Sequence, residues 1–165
     1  MMTETERNDF SIRSATREDT ALILQLIKEL ADYESMIDLV VATEETLEDS
    51  LFHKRNAEVI IAEYQQKPIG YALFFHNFST FLGRSGLYIE DIYIKPEMRG
   101  KGFGSNLLIY LSALAKERNC GRLEWCCLNW NEPSIKFYQQ MGAIPMSDWT
   151  IFRLQGEALD KLADH

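Results

Sequence analysis

Hydrophobic residues recur at two different spacings along this chain, and the change of spacing separates predicted helices from predicted strands. Residues 10–14 alternate like a short strand, and Thr16–Asp19 then has the sequence of a helix N-terminus. Apolar residues follow three or four positions apart, at Leu22, Ile23, Leu26, Ile27 and Leu30. This spacing predicts a helix to about Tyr33. A second short helix is predicted from Thr43 to about Phe52, with Leu47 and Leu51 turned inward.

The middle of the chain is predicted to be strands, because β-branched and aromatic residues form short runs between turn residues. Residues 59–64 and 69–76 flank Gln65–Pro68, which predicts a hairpin. Residues 78–86 are predicted as a loop, and residues 87–94 as a central strand that Pro96 ends. The loop carries Phe78 and Phe81, which suit either a pocket lining or a dimer interface.

The last third of the chain returns to helical spacing and then alternates again. A long helix is predicted with an apolar face of Leu107, Leu108, Leu111, Leu114 and Ala115. A strand over 122–128 follows, and then a helix that Asn131 or Glu132 caps, with Pro133 in its first turn and Gly142 at its stop. Residues 151–154 are predicted as a late strand and residues 157–163 as one or two helical turns.

The connections between these elements determine the predicted fold class, which is α/β (α+β). A helix joins the strands 87–94 and 122–128, so these two strands should pair in parallel, whereas the strands joined by tight turns should be antiparallel. We therefore expect one domain over 1–165, built on a mixed, mostly antiparallel twisted sheet flanked by helices. Residues 1–9 form a polar N-terminus that can be flexible.

The composition of the chain restricts its possible binding partners and its location more than it restricts the fold class. The 165 residues carry a formal net charge of −8, which should repel nucleic acid and anionic membranes and favours cationic partners. No apolar run approaches the roughly 20 residues that span a bilayer, and the N-terminus lacks a signal-peptide core. The three cysteines, Cys120, Cys126 and Cys127, have no metal-type spacing. We expect reduced thiols, no bound metal and a cytoplasmic location.

A glycine-rich loop joins the central strand to the long helix, and it has the composition of an anion-binding loop. It reads Arg99, Gly100, Lys101, Gly102, Phe103, Gly104 and Ser105. Glycines allow a tight turn and a close approach of the backbone to a ligand, and the start of a helix adds unpaired N–H groups with partial positive charge. Loop and helix together predict a binding site for a pyrophosphate.

Three families of phosphate-binding loop have to be distinguished. A Walker loop requires a lysine directly after its last glycine, and neither Gly102 nor Gly104 has one. The dinucleotide motif requires a third glycine where this chain has Ser105. The remaining pattern, with Arg99, Gly102 and Gly104 in fixed places, resembles the acetyl-CoA loop of the GNAT N-acetyltransferases.

Four motifs extend this resemblance over almost the whole chain. They are Lys28-Glu-Leu-Ala-x-Tyr33-Glu34, Leu87-Tyr-x-Glu90-Asp91, Arg99-Gly-x-Gly-x-Gly-Ser105 and Trp130-Asn-Glu-Pro-Ser134-Ile-x-Phe-Tyr138. In order and spacing they resemble the spermidine/spermine branch of the GNAT superfamily and the related thialysine-type diamine acetyltransferases. The resemblance implies the GNAT fold with splayed central strands, acetyl-CoA as cosubstrate, a small amine as partner and a homodimer.

The resemblance also implies roles for individual residues. Glu90 corresponds to the catalytic base, acting through a water, and Tyr138 to the general acid that protonates the departing thiolate. The implied acetyl-CoA contacts are the strand segment Ile92, Tyr93 and Ile94, the loop from Arg99 through Gly100, Lys101, Gly102, Phe103 and Gly104 to Ser105, and Asn131 with Ser134. The predicted substrate contacts are Tyr33, Glu34, Glu90 and Asp91. Glu34 is a candidate because it lies at the end of the first helix, where the helix dipole disfavours an acidic side chain; a solvated surface carboxylate is the alternative interpretation. If the central strand is regular, Asp91 faces away from Glu90; from a bulge it could hold the substrate cation.

The sequence leaves more than one candidate for the substrate and for the class of function. The polyamine enzymes carry an acidic-Pro-Trp element before the central strand, where this chain reads Phe78-Ser79-Thr80-Phe81. A polyamine, a diamine or a thialysine-like amino acid therefore all remain candidate substrates. A catalytically silent module that binds acetyl-CoA or a protein is the first alternative function, and a nucleotide-binding protein is the second.

Overall fold

A computed structural model describes residues 9–164, so the predicted polar N-terminus lies almost wholly outside the described residues. The chain divides into two compact units, one ending at Cys126 and the other beginning at Cys127. The first unit contains all five strands, and the prediction of one domain over 1–165 stays a prediction.

The first unit is built on a five-stranded sheet in the order β1-β2-β3-β4-β5. The strands are β1 (Phe10–Ser14), β2 (Glu58–Tyr64), β3 (Lys67–Ser79), β4 (Arg84–Ile94) and β5 (Leu123–Trp125). The pairings from β1 to β4 are antiparallel, whereas β4 and β5 are parallel, as the connecting helix requires. The predicted mixed and mostly antiparallel sheet is therefore confirmed.

The helices of the first unit lie at the predicted positions. They are α1 (Thr20–Tyr33), α2 (Glu44–Glu48) and α3 (Phe103–Glu117). Thr16 and Asp19 form the predicted capping box, with the Thr16 N–H donating to Asp19 Oδ2 at 2.8 Å. A π-helical turn at Asp49–His53 extends α2 and buries Leu51.

Each face of the sheet has its own hydrophobic core. On one face, α3 packs Phe103, Leu107, Leu111 and Ala115 against strand residues such as Phe74 and Ile89. On the other face, α1 and Leu51 pack with Ile23, Leu26, Ile61, Tyr71 and Tyr93. Fully burying one leucine or phenylalanine contributes about 1.5–3 kcal/mol, so these two layers hold the sheet between its helices.

The hairpins are tighter than the sequence predicts. Gln65 and Gln66 form a two-residue turn with φ of 50° and 62°, and β3 begins directly after it at Lys67. The predicted loop over 78–86 is wrong, because the ladder continues to the pair Ser79 and Arg84 and leaves only residues 80–83 as a turn. Phe78 is thus an exposed strand residue and Phe81 an exposed turn residue.

The second unit contains α4 (Glu132–Gln140) and α5 (Glu157–Ala163). Asn131 caps α4 through a hydrogen bond that its side chain accepts from the Ser134 N–H, and Gly142 ends it with φ of 92°.

The structure corrects two strand predictions in the last third of the chain. The strand predicted over 122–128 is limited to Leu123–Trp125, and Ile151–Leu154 forms no strand although it lies in the described part of the chain.

Candidate active site

The central strand β4 carries a bulge at Glu90. Asp91 pairs with Leu73 and Ile89 pairs with Phe74, so Glu90 is the extra residue between two consecutive partners. A bulge bends its strand and redirects the neighbouring side chains, and such irregularities occur often at active sites. The strand is therefore not regular, and Asp91 joins the same sheet face as Tyr93 instead of the face that Ile89 occupies.

Beyond this bulge, one edge of β4 presents backbone N–H groups. The Lys95 N–H donates to Ile69 O on β3 at 2.8 Å. Successive N–H groups of a strand point to alternate edges, so those of Ile92 and Ile94 point away from β3. On that side the pairing of β4 with β5 ends at Ile89 and Trp125. The two strands thus part where the bulge begins, which leaves an edge that can pair with an extended ligand.

The glycine loop turns directly into α3. Gly100 has φ of 77° and Gly102, the residue before the helix, has φ of 87°. Both values lie in the left-handed region that glycine adopts without steric cost. The side chain of Phe103 is 1% exposed and stacks on Phe10 with ring centroids 5.0 Å apart. Phe103 therefore anchors the loop, and its backbone, with those of Gly104 and Ser105, forms the N-terminus of a 15-residue helix.

Arg99 faces the end of α1. Its Nε donates to Ile94 O at 2.9 Å, and its guanidinium carbon lies 4.4 Å from the Tyr33 ring centroid and 5.6 Å from that of Tyr93. A guanidinium over an aromatic face is attracted by the ring quadrupole. The loop predicted to hold the cofactor is thus linked to Tyr33, a residue predicted to contact the substrate.

The Asp91 carboxylate lies at the bulge, and its charge interacts with those of two other acidic residues, Glu34 and Glu90. Asp91 Oδ2 accepts a hydrogen bond of 2.7 Å from the Tyr71 hydroxyl. Burial raises the pKa of Asp91 above its ordinary value, the Tyr71 hydrogen bond opposes that rise, and the nearby charge of Glu90 adds to it. Burial and the charge of Asp91 raise the pKa of Glu34. Because burial and the nearby charge of Glu90 disfavour the ionised form of Asp91, a cation bound beside Asp91 would stabilise that form.

The remaining predicted site residues belong to the second unit. Asn131 is buried and uses its side-chain oxygen to accept the Ser134 N–H at 3.4 Å, which fixes the first turn of α4. Tyr138 lies one turn after Ser134, and its ring packs against that of Phe137 with centroids 5.3 Å apart. Helix α4 therefore carries Ser134 and Tyr138 one turn apart on neighbouring positions of one side.

The first unit brings together most of the predicted site. Asp91 interacts through its charge with Glu34 and Glu90. Arg99 contacts the Tyr33 ring and donates a hydrogen bond to Ile94 O, which joins the strand segment Ile92–Ile94 to the loop. Lys101 is exposed in that loop. Sequence reasoning missed Tyr71. A tyrosine within the apolar run of β3 was the available signal, because a buried hydroxyl needs a hydrogen-bond partner.

Comparison with known proteins identifies the family. Residues 23–143 match the model of the Acetyltransferase (GNAT) family. The chain belongs to this family. As a GNAT protein it is an acyltransferase, and the resemblance inferred from its four motifs is confirmed.

Two curated relatives cover nearly its full length. A thialysine N-epsilon-acetyltransferase of Bos taurus is 38% identical over 164 residues, spanning 92% of this chain and 96% of the relative. An L-ornithine N5-acetyltransferase of Arabidopsis thaliana is 32% identical over 197 aligned positions, spanning 92% and 86% of the two chains. This GNAT enzyme is thus similar to acetyltransferases that are named for amino acids with a side-chain amine.

A solved structure has the same fold. An integron cassette protein from the mobile metagenome of V. cholerae superposes with a TM-score of 0.80 at 26% identity, covering 95% of this chain and 99% of that one. Among residues 9–164, no helix is long and apolar enough to cross a membrane. In the same residues, no three His, Cys, Asp or Glu side chains are grouped as a metal site would require.

Proposed function

We propose that this GNAT enzyme transfers the acetyl group of acetyl-CoA to the primary amine of a small cationic substrate, by direct attack within a ternary complex. The substrate is a polyamine, a diamine or an amino acid of the thialysine or ornithine kind. The observation that carries the proposal is the bulge of β4 at Glu90. It places the Asp91 carboxylate on the sheet face of Tyr71 and Tyr93, where Tyr71 donates a hydrogen bond to it. The negative charge of Asp91 also acts on Glu34.

The glycine loop fits the pyrophosphate of acetyl-CoA. Its left-handed glycines and the first turn of α3 expose backbone N–H groups, and the buried Phe103 side chain keeps that backbone in place. The segment from Gly100 to Ser105 would hold the pyrophosphate, with Arg99 and Lys101 adding positive charge. Asn131 and Ser134 would add further contacts. Bound acetyl-CoA supplies an activated thioester as acyl donor.

The open edge of β4 fits the extended arm of the cosubstrate. The N–H groups of Ile92 and Ile94 would pair with the amides of that arm, with Tyr93 between them, and would polarise the acetyl carbonyl. Donors aimed at the position where negative charge develops stabilise the transition state for acyl transfer.

The carboxylates of the site would bind the cationic amine substrate and remove its proton. An alkylammonium has a pKa of about 10.4, so the substrate arrives protonated at neutral pH and must lose a proton before it attacks. Asp91 and Glu34 hold the cationic substrate, with Tyr33 beside them. Glu90 accepts the proton, through a water, and Tyr138 donates one to the departing thiolate. The homodimer and the cytoplasmic location stay predictions.

A panel of amines tests the proposal. Acetyl-CoA turnover is measured with thialysine, ornithine, spermidine and 1,4-diaminobutane, and with butylamine as a comparator that lacks the second charge. We expect kcat/KM to be at least about tenfold higher for one of the multiply charged amines than for butylamine, which corresponds to one ionic hydrogen bond. Binding of acetyl-CoA without turnover of any amine would instead establish a silent binding module.

A further inference from the structure

Tyr71 donates a hydrogen bond to Asp91 from a completely buried position. Its side chain has no exposed surface, and its hydroxyl lies 2.7 Å from Asp91 Oδ2. The bulge creates this contact. Because Glu90 is the extra residue, Asp91 lies on the face of the sheet that Tyr71 and Tyr93 share, diagonally across from Tyr71.

The ring of Tyr71 cannot move easily. It contacts the Tyr93 ring edge-on, with centroids 6.5 Å apart, inside the core that α1 closes. A hydroxyl on a fixed ring selects one orientation of the carboxylate that it binds. The other oxygen of Asp91 remains available to a ligand, since a carboxylate accepts hydrogen bonds at both oxygens.

We propose that Tyr71 is a positioning residue, which orients the Asp91 carboxylate so that it receives the ammonium group of the substrate. This inference rests on the proposed function, in which Asp91 holds the cationic amine. It adds a residue of β3 to a site that is otherwise formed by β4 and the end of α1.

The protonation of Asp91 gives this role a measurable consequence. The groups that face Asp91 are Tyr71 from β3, Glu34 from the end of α1 and Glu90 from its own strand. Burial and Glu90 raise the pKa of Asp91, and Tyr71 lowers it by donating to the ionised form. Removing the hydroxyl therefore moves the loss of the Asp91 charge to higher pH.

The substitution Tyr71→Phe tests the inference. We expect the KM for the preferred amine to rise about tenfold, the effect of losing a hydrogen bond that organises an ionic contact, while the KM for acetyl-CoA changes little. The acidic limb of the profile of kcat/KM for the amine against pH should move to higher pH. Tyr64→Phe is the matched control, because it removes a hydroxyl from a ring that packs on Phe103 instead.

A second variant keeps the test decisive if Tyr71→Phe folds poorly. Site-specific replacement of Tyr71 by 3-fluorotyrosine keeps the shape and makes the hydroxyl a stronger donor, so the acidic limb should move to lower pH. An acidic limb that stays in place in whichever of the two variants folds would overturn the role of Tyr71. An amine KM for folded Tyr71→Phe that equals the value for Tyr64→Phe would do the same.

Asp91→Asn separates this inference from the proposed function. If Asp91→Asn leaves the amine KM unchanged, Asp91 does not hold the substrate and that part of the proposed function fails. If Asp91→Asn raises the amine KM and Tyr71→Phe does not, only the positioning role fails. In the double variant, we expect Tyr71→Phe to add little to the effect of Asp91→Asn, because both changes remove the same interaction.

Discussion

Gly102 offers the sharpest test of the cofactor loop, because its backbone conformation and its predicted role have different experimental consequences. With φ of 87° and ψ of 2°, it occupies the left-handed region immediately before α3. This conformation destabilises an L-residue other than glycine by about 1–2 kcal/mol. For a chain of this size, 1 kcal/mol shifts Tm by roughly 2–4 °C, so Gly102→Ala should lower Tm by about 2–8 °C and leave the protein folded.

The same methyl group should also weaken acetyl-CoA binding. The proposed site uses N–H groups of the loop and of the first turn of α3, which the pyrophosphate must approach closely. One hydrogen bond to a charged group is worth about 1.5–3 kcal/mol, which corresponds to roughly 10–100-fold in affinity. We expect the KM for acetyl-CoA to rise by that factor in steady-state assays, with a much smaller change in the KM for the amine.

Gly83→Ala supplies the control for backbone strain. Gly83 has φ of 64° in the turn between β3 and β4, and a Cβ built there meets nothing within 4 Å. It should therefore lose a similar amount of stability without a change in either KM. An acetyl-CoA KM for folded Gly102→Ala that equals the value for Gly83→Ala would refute the assignment of the loop to the cosubstrate.

Two further substitutions test the proposed proton transfers, and a third tests how the buried Asp91 carboxylate affects the stability of the fold. Glu90→Gln should lower kcat by about 10²–10⁴-fold at neutral pH, and the deficit should narrow as pH approaches the pKa of the amine; a deficit independent of pH would show that Glu90 does not take the proton. Tyr138→Phe should lower kcat about 10²-fold, and the gap should close with an acetyl thioester whose leaving thiol is more acidic; an undiminished gap would assign the proton to another donor. Asp91→Asn should raise Tm at neutral pH. Burial raises the pKa of Asp91 in the folded state, so its ionisation destabilises the fold. The free energy of unfolding of the wild type therefore falls as pH rises from the unfolded-state pKa of about 3.9 through the higher folded-state pKa. Melting curves should therefore diverge with rising pH and converge in acid, and a gap independent of pH would contradict this origin.

Local sequence determined most elements of this protein. The cap at Thr16, the spacing of apolar residues in α1 and α3, and the stop at Gly142 each act within a few residues, and all appear where predicted. The glycine loop could also be predicted from local sequence, because glycine itself permits the left-handed conformation that Gly100 and Gly102 adopt. These features also carried the family resemblance, which the match over residues 23–143 confirms.

Pairing between strands was decided only in the tertiary structure, because a strand exists where another backbone satisfies its hydrogen bonds. The apolar segment Ile151–Leu154 reads as a strand and forms none, whereas the polar end of β3 pairs up to Ser79. The bulge at Glu90 has the same origin, since it depends on the register between β3 and β4. That register moves Asp91 to the face where the Tyr71 hydroxyl lies, a contact across 20 residues that no periodicity in the sequence encodes.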